Sequence, residues 1–248
     1  MVTFRDLFST SSANYARFRP RYPAALFEWL ADESRGRDRA WDCATGTGQA
    51  AEGLAGHFGL VVATDASRAQ LAMAAPHPRV RYVRSAAEAS GLRSQSMDAI
   101  AVAQAIHWFD RPAFFAEASR VGKPGALVAA WTYWKLEISP AIDAVVDRFY
   151  ADVVGPFWPP ERRIIERQYR DVVMPFTPIT APEIAIDVPM DLRHLAGYVG
   201  TWSATERYRA ARGEDPVPAL IDAVAPLWGE PSAVRPTRWP LAIRAGRV

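Results

Sequence analysis

Two carboxylates, two glycines and a histidine stand out at Asp42, Gly46, Gly48, Asp65 and His107. In the run "DCATGTGQAA" (42–51), the segment GTGQAA has the spacing G-x-G-x-x-A. Glycines at that spacing, between a strand and a helix, let backbone pass close to a ligand beside the unpaired N–H groups of the helix start. An acidic side chain ending the next strand can take both hydroxyls of a ribose, and Asp65 in "VVATDAS" is placed to do so. The unit therefore reads as a site for a ribose-bearing ligand. The loop alone leaves NAD and S-adenosylmethionine both open. Asp42, just before the glycines, favours the second: a carboxylate there repels a pyrophosphate but suits the cationic α-amino group and sulfonium of S-adenosylmethionine.

These residues need a sheet edge to hold them, and the sequence around them alternates accordingly. Short apolar runs at Ala40–Ala44, Leu60–Thr64, Val80–Arg84, Met97–Ala103 and Ala126–Trp131 read as strands. Between them, Ala50–Phe58, Ser67–Ala75 and Pro112–Val121 read as helices, the second opened by a capping serine and the third by a first-turn proline. Alternation of this kind predicts an α/β fold around a parallel sheet. After Trp134 the pattern changes to two amphipathic helices, Ser139–Val154 and Glu161–Val173, interrupted by "GPFWPPE". They read as a helical cap. A strand at Glu183–Met190, helices at Leu192–Arg212 (broken near Gly200) and Val217–Trp228, and a final strand in "RWPLAIRAGRV" complete the chain. The divisions expected are 1–134 for the ligand-binding core, 135–182 for the cap and 183–248 for elements finishing the sheet and a second pocket, within one domain.

Composition narrows the functional class. A chain of 248 residues, 50% hydrophobic and 23% charged, can bury one substantial core, and its net charge of +2 is spread without a basic tract, which excludes a nucleic-acid stripe. One cysteine, Cys43, and four isolated histidines rule out a disulfide framework and leave no metal expected. The start of the chain lacks a signal-peptide apolar segment and no apolar run approaches the roughly 18 residues of a membrane span, so a cytoplasmic protein, monomeric or homodimeric, is expected.

The ordered motifs carry a resemblance. D42-C-A-T-G-T-G-Q49, Asp65, "SAAE" (85–88), "MDAIAVAQAIHWFD" (97–110) and "RVGKPGALVAAW" (120–131) resemble class I S-adenosylmethionine-dependent methyltransferases. "YARFRPRYP" (15–23) and "HWFD" (107–110) are similar to the small-molecule branch that includes trans-aconitate methyltransferase-like proteins, and "GTWSATERYR" and "RWPLAIRAGR" extend the likeness over most of the chain. The resemblance implies a Rossmann-like, mostly parallel seven-stranded sheet with an antiparallel C-terminal strand. It implies S-adenosyl-L-methionine as cofactor and a small-molecule acceptor methylated on N or O. Asp42, Ala44, Gly46 and Gly48 would contact its methionine part, Asp65 and the adjoining Ala66 its ribose, Ala87 and Glu88 its adenine, and Gln104 its methionine part through backbone. Tyr15 and Arg19 would close over it, Arg19 toward its carboxylate. Ala44 stands where the family usually has glycine, which is tolerable with a negative φ. Non-methylating chemistry, such as cyclisation of the cofactor's aminobutyryl arm, and an NAD-dependent oxidoreductase are the alternatives.

Methyl transfer from a sulfonium asks the protein mainly to align and to exclude water, with a base only if the acceptor must lose a proton. His107, past the fourth strand, is the candidate base; a structural histidine bonded to nearby backbone is the other reading. Trp108, Trp131, Trp134, Trp158 and Trp202 fall at strand ends or in the cap and are expected to wall a pocket for a flat or apolar acceptor. Arg162, Arg163 and Arg167 offer positive charge for a carboxylate substrate, or simply a solvated helix face.

Overall fold

The computed structural model describes residues 18–248, so Tyr15 lies outside the described residues. The elements follow the order α1 (Ala24–Glu33), β1 (Arg39–Cys43), α2 (Gln49–Ala55), β2 (Leu60–Asp65), α3 (Arg68–Leu71), β3 (Val80–Arg84), β4 (Met97–Ala103), α4 (Arg111–Val121) and β5 (Gly122–Tyr133). The expected alternation is thus present. The inner strands β4 and β5 are buried on both faces, which is why they read as unbroken apolar runs rather than as alternating ones.

Strands stand in the order β3-β2-β1-β4-β5 and pair in parallel. The chain moves outward from β1 through β2 to β3, then crosses back to β4 on the other side of β1. That reversal leaves a crevice at the carboxyl ends of β1 and β4, the place where open α/β sheets take ligands. In register, Asp42 of β1 stands opposite Ala63 of β2 and Ala101 of β4, so the first carboxylate sits at this edge.

Helices cover both faces. On one, Leu26, Phe27 and Leu30 of α1 and Ala50, Ala51 and Leu54 of α2 pack on Ala40, Val61, Ala63, Leu127, Ala129 and Trp131. On the other, Phe114, Phe115 and Ala118 of α4 cover Trp41, Cys43, Ile100, Val102, Val128 and Ala130. The α1–α2 contact is close: a Cβ at Gly53 would meet the Phe27 ring at 2.2 Å.

Beyond β5 lie α5 (Pro140–Arg148), a π-helical turn at Phe149–Val153, a 3₁₀ turn at Gly155–Phe157, α6 (Arg162–Glu166), β6 (Thr177–Ile179), β7 (Ala185–Met190), α7 (Leu192–Gly200), α8 (Ser203–Arg212), α9 (Val217–Trp228) and β8 (Arg235–Arg247). The sheet has eight strands, one more than expected, because the 13-residue β8 is long enough to serve several partners. Its residues 235–240 pair antiparallel with β7, and residues 241–247 pair antiparallel with β5, with β6 on the other edge. The three-residue β6, "TPI", carries too little alternation to be read from sequence, so residues 135–182 include a strand of the sheet besides the cap helices.

The second cap helix, expected over Glu161–Val173, ends at Glu166. Gln168 and Tyr169 then adopt φ of +54° and +55°, turning the Tyr169 side chain fully inward. Burial of that ring overrides a continuous amphipathic pattern. Similarly α3 stops after Leu71, although Ser67 caps it as expected by accepting the Gln70 N–H at 3.3 Å. The cap packs on α7 and α9 through a third cluster that includes Ile142, Val146, Phe149, Tyr198, Trp202, Val224 and Trp239.

Candidate active site

The glycine loop leaves β1 through three positive-φ residues: Ala44 (+58°), Gly46 (+57°) and Gly48 (+91°). Ala44 therefore does not have the negative φ expected of it. An L-residue in the left-handed region costs roughly 1–2 kcal/mol from the Cβ–carbonyl clash, so the loop carries strain at this position. Bonds on either side hold it there: Thr45 N donates to Thr64 O at 2.9 Å and Gly46 N to Asp65 Oδ2 at 2.8 Å. At Gly48 a side chain is excluded twice, by its φ and by the Tyr82 hydroxyl, which a Cβ would meet at 2.4 Å.

Asp42 is fully buried. Its Oδ2 accepts from the Thr45 hydroxyl at 2.5 Å, while Oδ1 has no hydrogen-bond partner. Burial, aided by the neighbouring Asp65 carboxylate and opposed by Thr45, pushes its pKa up to about 7. A buried carboxylate oxygen lacking a donor is costly, and a bound ammonium group offsets that cost. The loop thus fits a cofactor that brings positive charge. Asp65 joins two loops, since its Oδ1 also accepts the Ser67 N–H at 2.8 Å. An ionised carboxylate accepts up to about four hydrogen bonds, so anchoring the loops is compatible with holding ribose hydroxyls.

Next to Asp65, Ser85 N donates to Asp65 O at 3.1 Å, and the buried Ser85 hydroxyl lacks a partner. Ser85 is a candidate nucleoside contact that sequence reasoning passed over, though it opens the "SAAE" motif; its unsatisfied hydroxyl is visible only in the fold. Ala66 O accepts from Arg84 Nε at 3.2 Å, and Ala87 packs on the core face covered by α4. Glu88 Oε1 accepts the Asp110 N–H at 3.0 Å, tying "SAAE" to "HWFD".

A second hollow, of about 80 Å³, lies between the carboxyl ends of β4 and β5, the cap and α7–α8. Gln104, His107, Trp108, Tyr133 and Trp134 line it from the sheet, Trp158, Pro159, Arg162 and Ile165 from the cap, and Tyr198, Trp202, Ser203 and Arg19 from the far wall. It brings together four of the five expected tryptophans. Trp131 is elsewhere: completely buried on the α1–α2 face of the sheet, edge-on to Tyr22 with centroids 5.6 Å apart. Trp131 lies within β5, packed under α1 and α2, whereas Trp134 follows the end of the strand.

Two guanidiniums border this pocket, with no carboxylate among its described lining residues. Arg19 donates to the Thr201 hydroxyl and carbonyl, both at 3.1 Å, and to Tyr133 Oη at 3.4 Å. Arg162 lies 4.4 Å from the Trp158 ring centroid and donates to Tyr150 Oη at 2.9 Å. Of the arginine run, Arg163 and Arg167 are exposed, Arg167 pairing with Asp171 at 2.9 Å. Only Arg162 turns inward.

Gln104 occupies the left-handed region (φ +54°), its N–H donating to Trp131 O at 2.9 Å. His107 sits on a 3₁₀ turn (Ile106–Trp108), only 8% exposed, with Nδ1 3.2 Å from Tyr169 Oη. Burial first, and the Arg162 charge second, lower its pKa to about 3. It is neutral at physiological pH. Among the described residues no cluster of His, Cys, Asp or Glu suits a metal. A larger groove, about 890 Å³, runs beside β7 and β8 and contains none of these site residues.

Residues 41–130 match the model of a family described as "Methyltransferase domain". A protein of Dictyostelium discoideum named as a methyltransferase is 34% identical over 227 residues, 89% of this chain and 86% of its own. A Saccharomyces cerevisiae protein named as an S-adenosylmethionine-dependent methyltransferase is 29% identical over 131 residues, 49% of this chain and 45% of its own. Among solved structures, one from Anaeromyxobacter dehalogenans described as a type II methyltransferase superposes with a TM-score of 0.88 at 45% identity, covering 93% of this chain and 98% of that one. Between the two cofactors that the glycine loop left open, these relatives decide for S-adenosylmethionine.

Proposed function

The chain belongs to the class I S-adenosylmethionine-dependent methyltransferases, and on that premise we propose that it methylates a small, flat, anionic acceptor on oxygen or nitrogen. When bound, S-adenosylmethionine supplies a methyl group already activated on a sulfonium sulfur. The reading of the acceptor rests on one observation: the pocket beside Gln104 is walled by indoles and bordered by two guanidiniums, with no carboxylate among its described lining residues.

Each part of the chain then has a task. Asp42 and the loop from Ala44 to Gly48 would hold the cationic methionine end, and Asp65 with Ser85, Ala66, Ala87 and Glu88 the nucleoside. Trp108, Trp134, Trp158 and Trp202 give flat apolar walls that exclude water and stack the acceptor. Arg162, fixed by Tyr150 and stacked on Trp158, and Arg19, fixed by Thr201, would take its anionic group with little further loss of side-chain freedom. His107, as a neutral imidazole of low basicity, orients the acceptor by hydrogen bonding rather than carrying a proton away. We further take the acceptor to be a cytoplasmic metabolite and the enzyme a monomer or homodimer; no helix among the described residues is long and apolar enough to cross a membrane.

The test combines calorimetry with an acceptor screen. S-adenosylmethionine and S-adenosylhomocysteine should bind, and flat carboxylic acids should gain a methyl mass while their amide counterparts react at least tenfold more slowly. Arg162→Ala should raise KM for the acid at least tenfold, about 1.4 kcal/mol, with cofactor affinity unchanged. Equal rates on acid and amide would sink the anionic acceptor, and methylthioadenosine as the nucleoside product would replace methyl transfer with cyclisation.

A further inference from the structure

On the short helix α6, Arg162 and Glu166 stand one turn apart, the spacing at which opposite charges on a helix ordinarily meet. The next pair at that spacing, Arg167 with Asp171, does meet, at 2.9 Å. Arg162 and Glu166 form no such ion pair among the described residues, because the Tyr150 hydroxyl stands between them. A guanidinium can only donate, so Arg162 Nε gives its hydrogen bond to Tyr150 Oη at 2.9 Å. Tyr150 Oη in turn donates to Glu166 Oε1 at 2.5 Å. Burial pushes the Tyr150 pKa up to about 12, so the hydroxyl keeps the proton that this bond needs. Arg162 Nη2 donates to the Trp134 carbonyl at 3.4 Å, and Nη1 makes no hydrogen bond among the described residues. Since Nε and Nη2 share one edge of the planar group, that edge is held by the protein and the end carrying Nη1 is left over.

We propose that Tyr150 and Glu166 are positioning residues: by interposing its hydroxyl, Tyr150 keeps Arg162 off Glu166 and so leaves the end of the guanidinium free for an anionic acceptor. The inference rests on the proposed anionic acceptor for its purpose, though not for its geometry. Arg162 lines the pocket whereas Tyr150 and Glu166 do not, so both act through Arg162. Two features fix the hydroxyl in place. Tyr150 belongs to the π-helical turn Phe149–Val153, whose wider winding sets its side chain apart from the α-helical rows of α5, and such turns recur at functional sites. Its ring lies against Trp158, with centroids 4.9 Å apart, and the same indole lies 4.4 Å from the Arg162 guanidinium. The difference between the two arrangements is chemical. A carboxylate takes an arginine's fork two bonds at a time and cancels its charge, whereas a hydroxyl takes one N–H and leaves the charge for a second anion. Without that hydroxyl, Arg162 would fall onto Glu166, and an internal carboxylate would occupy the group meant for the acceptor.

The test measures binding of benzoate, as a flat anionic probe, to the full chain saturated with S-adenosylhomocysteine. Tyr150→Phe should weaken benzoate by about tenfold while S-adenosylhomocysteine binds as in the wild type, and adding Glu166→Gln to it should restore benzoate to within about threefold of wild type. A purely structural tyrosine gives no such rescue, since the second change removes a further polar group. Unchanged affinity in Tyr150→Phe, or a double variant no better than the single one, overturns the proposal. Should Tyr150→Phe fail to fold, Glu166→Gln alone decides: it keeps an oxygen for the Tyr150 proton and removes the competing charge, so benzoate should bind as tightly as in the wild type or more so, and weaker binding overturns the proposal. A crystal structure of Tyr150→Phe separates this role from the acceptor reading. Arg162 should pair directly with Glu166, N···O within about 4 Å, and a guanidinium left in its wild-type place overturns the proposal whatever the acceptor. Undiminished benzoate binding in Arg162→Ala overturns the anionic acceptor itself, and with it the purpose given to Tyr150.

Discussion

At the scale of single residues, the glycine loop combines strain with an unsatisfied charge. Ala44 at φ +58° makes the usual helix-derived rule for alanine and glycine invert. Ala44→Gly relieves a left-handed Cβ clash and adds unfolded-state entropy, so it should be neutral or stabilising by up to about 1 kcal/mol in urea denaturation. A loss larger than about 1 kcal/mol would show that the alanine methyl makes a contact worth more than its strain. Asp42 gives a pH signature. Its folded pKa of about 7 is raised from the ordinary 3.8, so its contribution to stability is present below pH 3.8 and is lost as pH rises through 7. A cationic ligand reverses the preference by favouring the carboxylate. Cofactor affinity should therefore rise with pH, by up to about tenfold per unit below 7, and level off above it, with uptake measured by calorimetry; Asp42→Asn should bind more weakly and with a flat profile. For Asp65→Ala, two backbone donors lose their acceptor together with the proposed ribose contact, and binding should fall by more than about tenfold.

At the scale of elements, the start of α2 is seated on β3 by a glycine against a tyrosine. Gly48→Ala places a methyl 2.4 Å from the Tyr82 hydroxyl at a φ of +91°, and should cost about 2–3 kcal/mol and most cofactor affinity. Adding Tyr82→Phe removes the nearest clashing atom but not the backbone strain. The double variant should recover part of the stability in thermal unfolding; full recovery would mean that the conformation itself is unstrained. The cap shows the converse, an element shaped by what it touches. Its second helix ends at Glu166 so that Tyr169 can be buried, and its sequence pattern alone ran on to Val173.

For the whole molecule, acid sensitivity has two identified sources acting in one direction. Glu117, nearly buried, is held to a pKa of about 2 by Arg120 and by the Ser90 hydroxyl and N–H, so its stabilisation is present above the ordinary 4.5 and is lost as pH falls toward 2. His107 is buried neutral, so its contribution is present above 6.5 and is lost as pH falls toward 3. Asp42 acts the other way between pH 7 and 3.8 and offsets the His107 loss there, so urea midpoints should hold roughly level from about pH 6 to 4.5 and fall below about pH 4, and Glu117→Gln should be less stable at pH 7 yet lose less between pH 4.5 and 2. An unchanged acid limb in that variant would place the sensitivity elsewhere.

The parallel strands, the glycine loop, Asp42 and Asp65 were legible in the sequence because each depends on local chemistry: apolar runs, turn residues, and a carboxylate at a strand end. Strands β3 and β4 fall where the apolar pattern puts them, at Val80–Arg84 and Met97–Ala103. What a side chain faces was not legible where it depends on residues far along the chain. Trp131 and Trp134 are three residues apart, yet the first is in the core and the second lines the pocket; Arg162 turns inward while Arg163 and Arg167 meet solvent. Ala44 took a positive φ because bonds to Thr64 and Asp65, on another strand, hold the loop around it. The sequence by itself determined the cofactor edge, since a strand, a glycine turn and a helix specify one another over a short span. The hollow proposed to take the acceptor was decided only by tertiary structure, which brings Arg19, His107, Arg162 and Trp202 together.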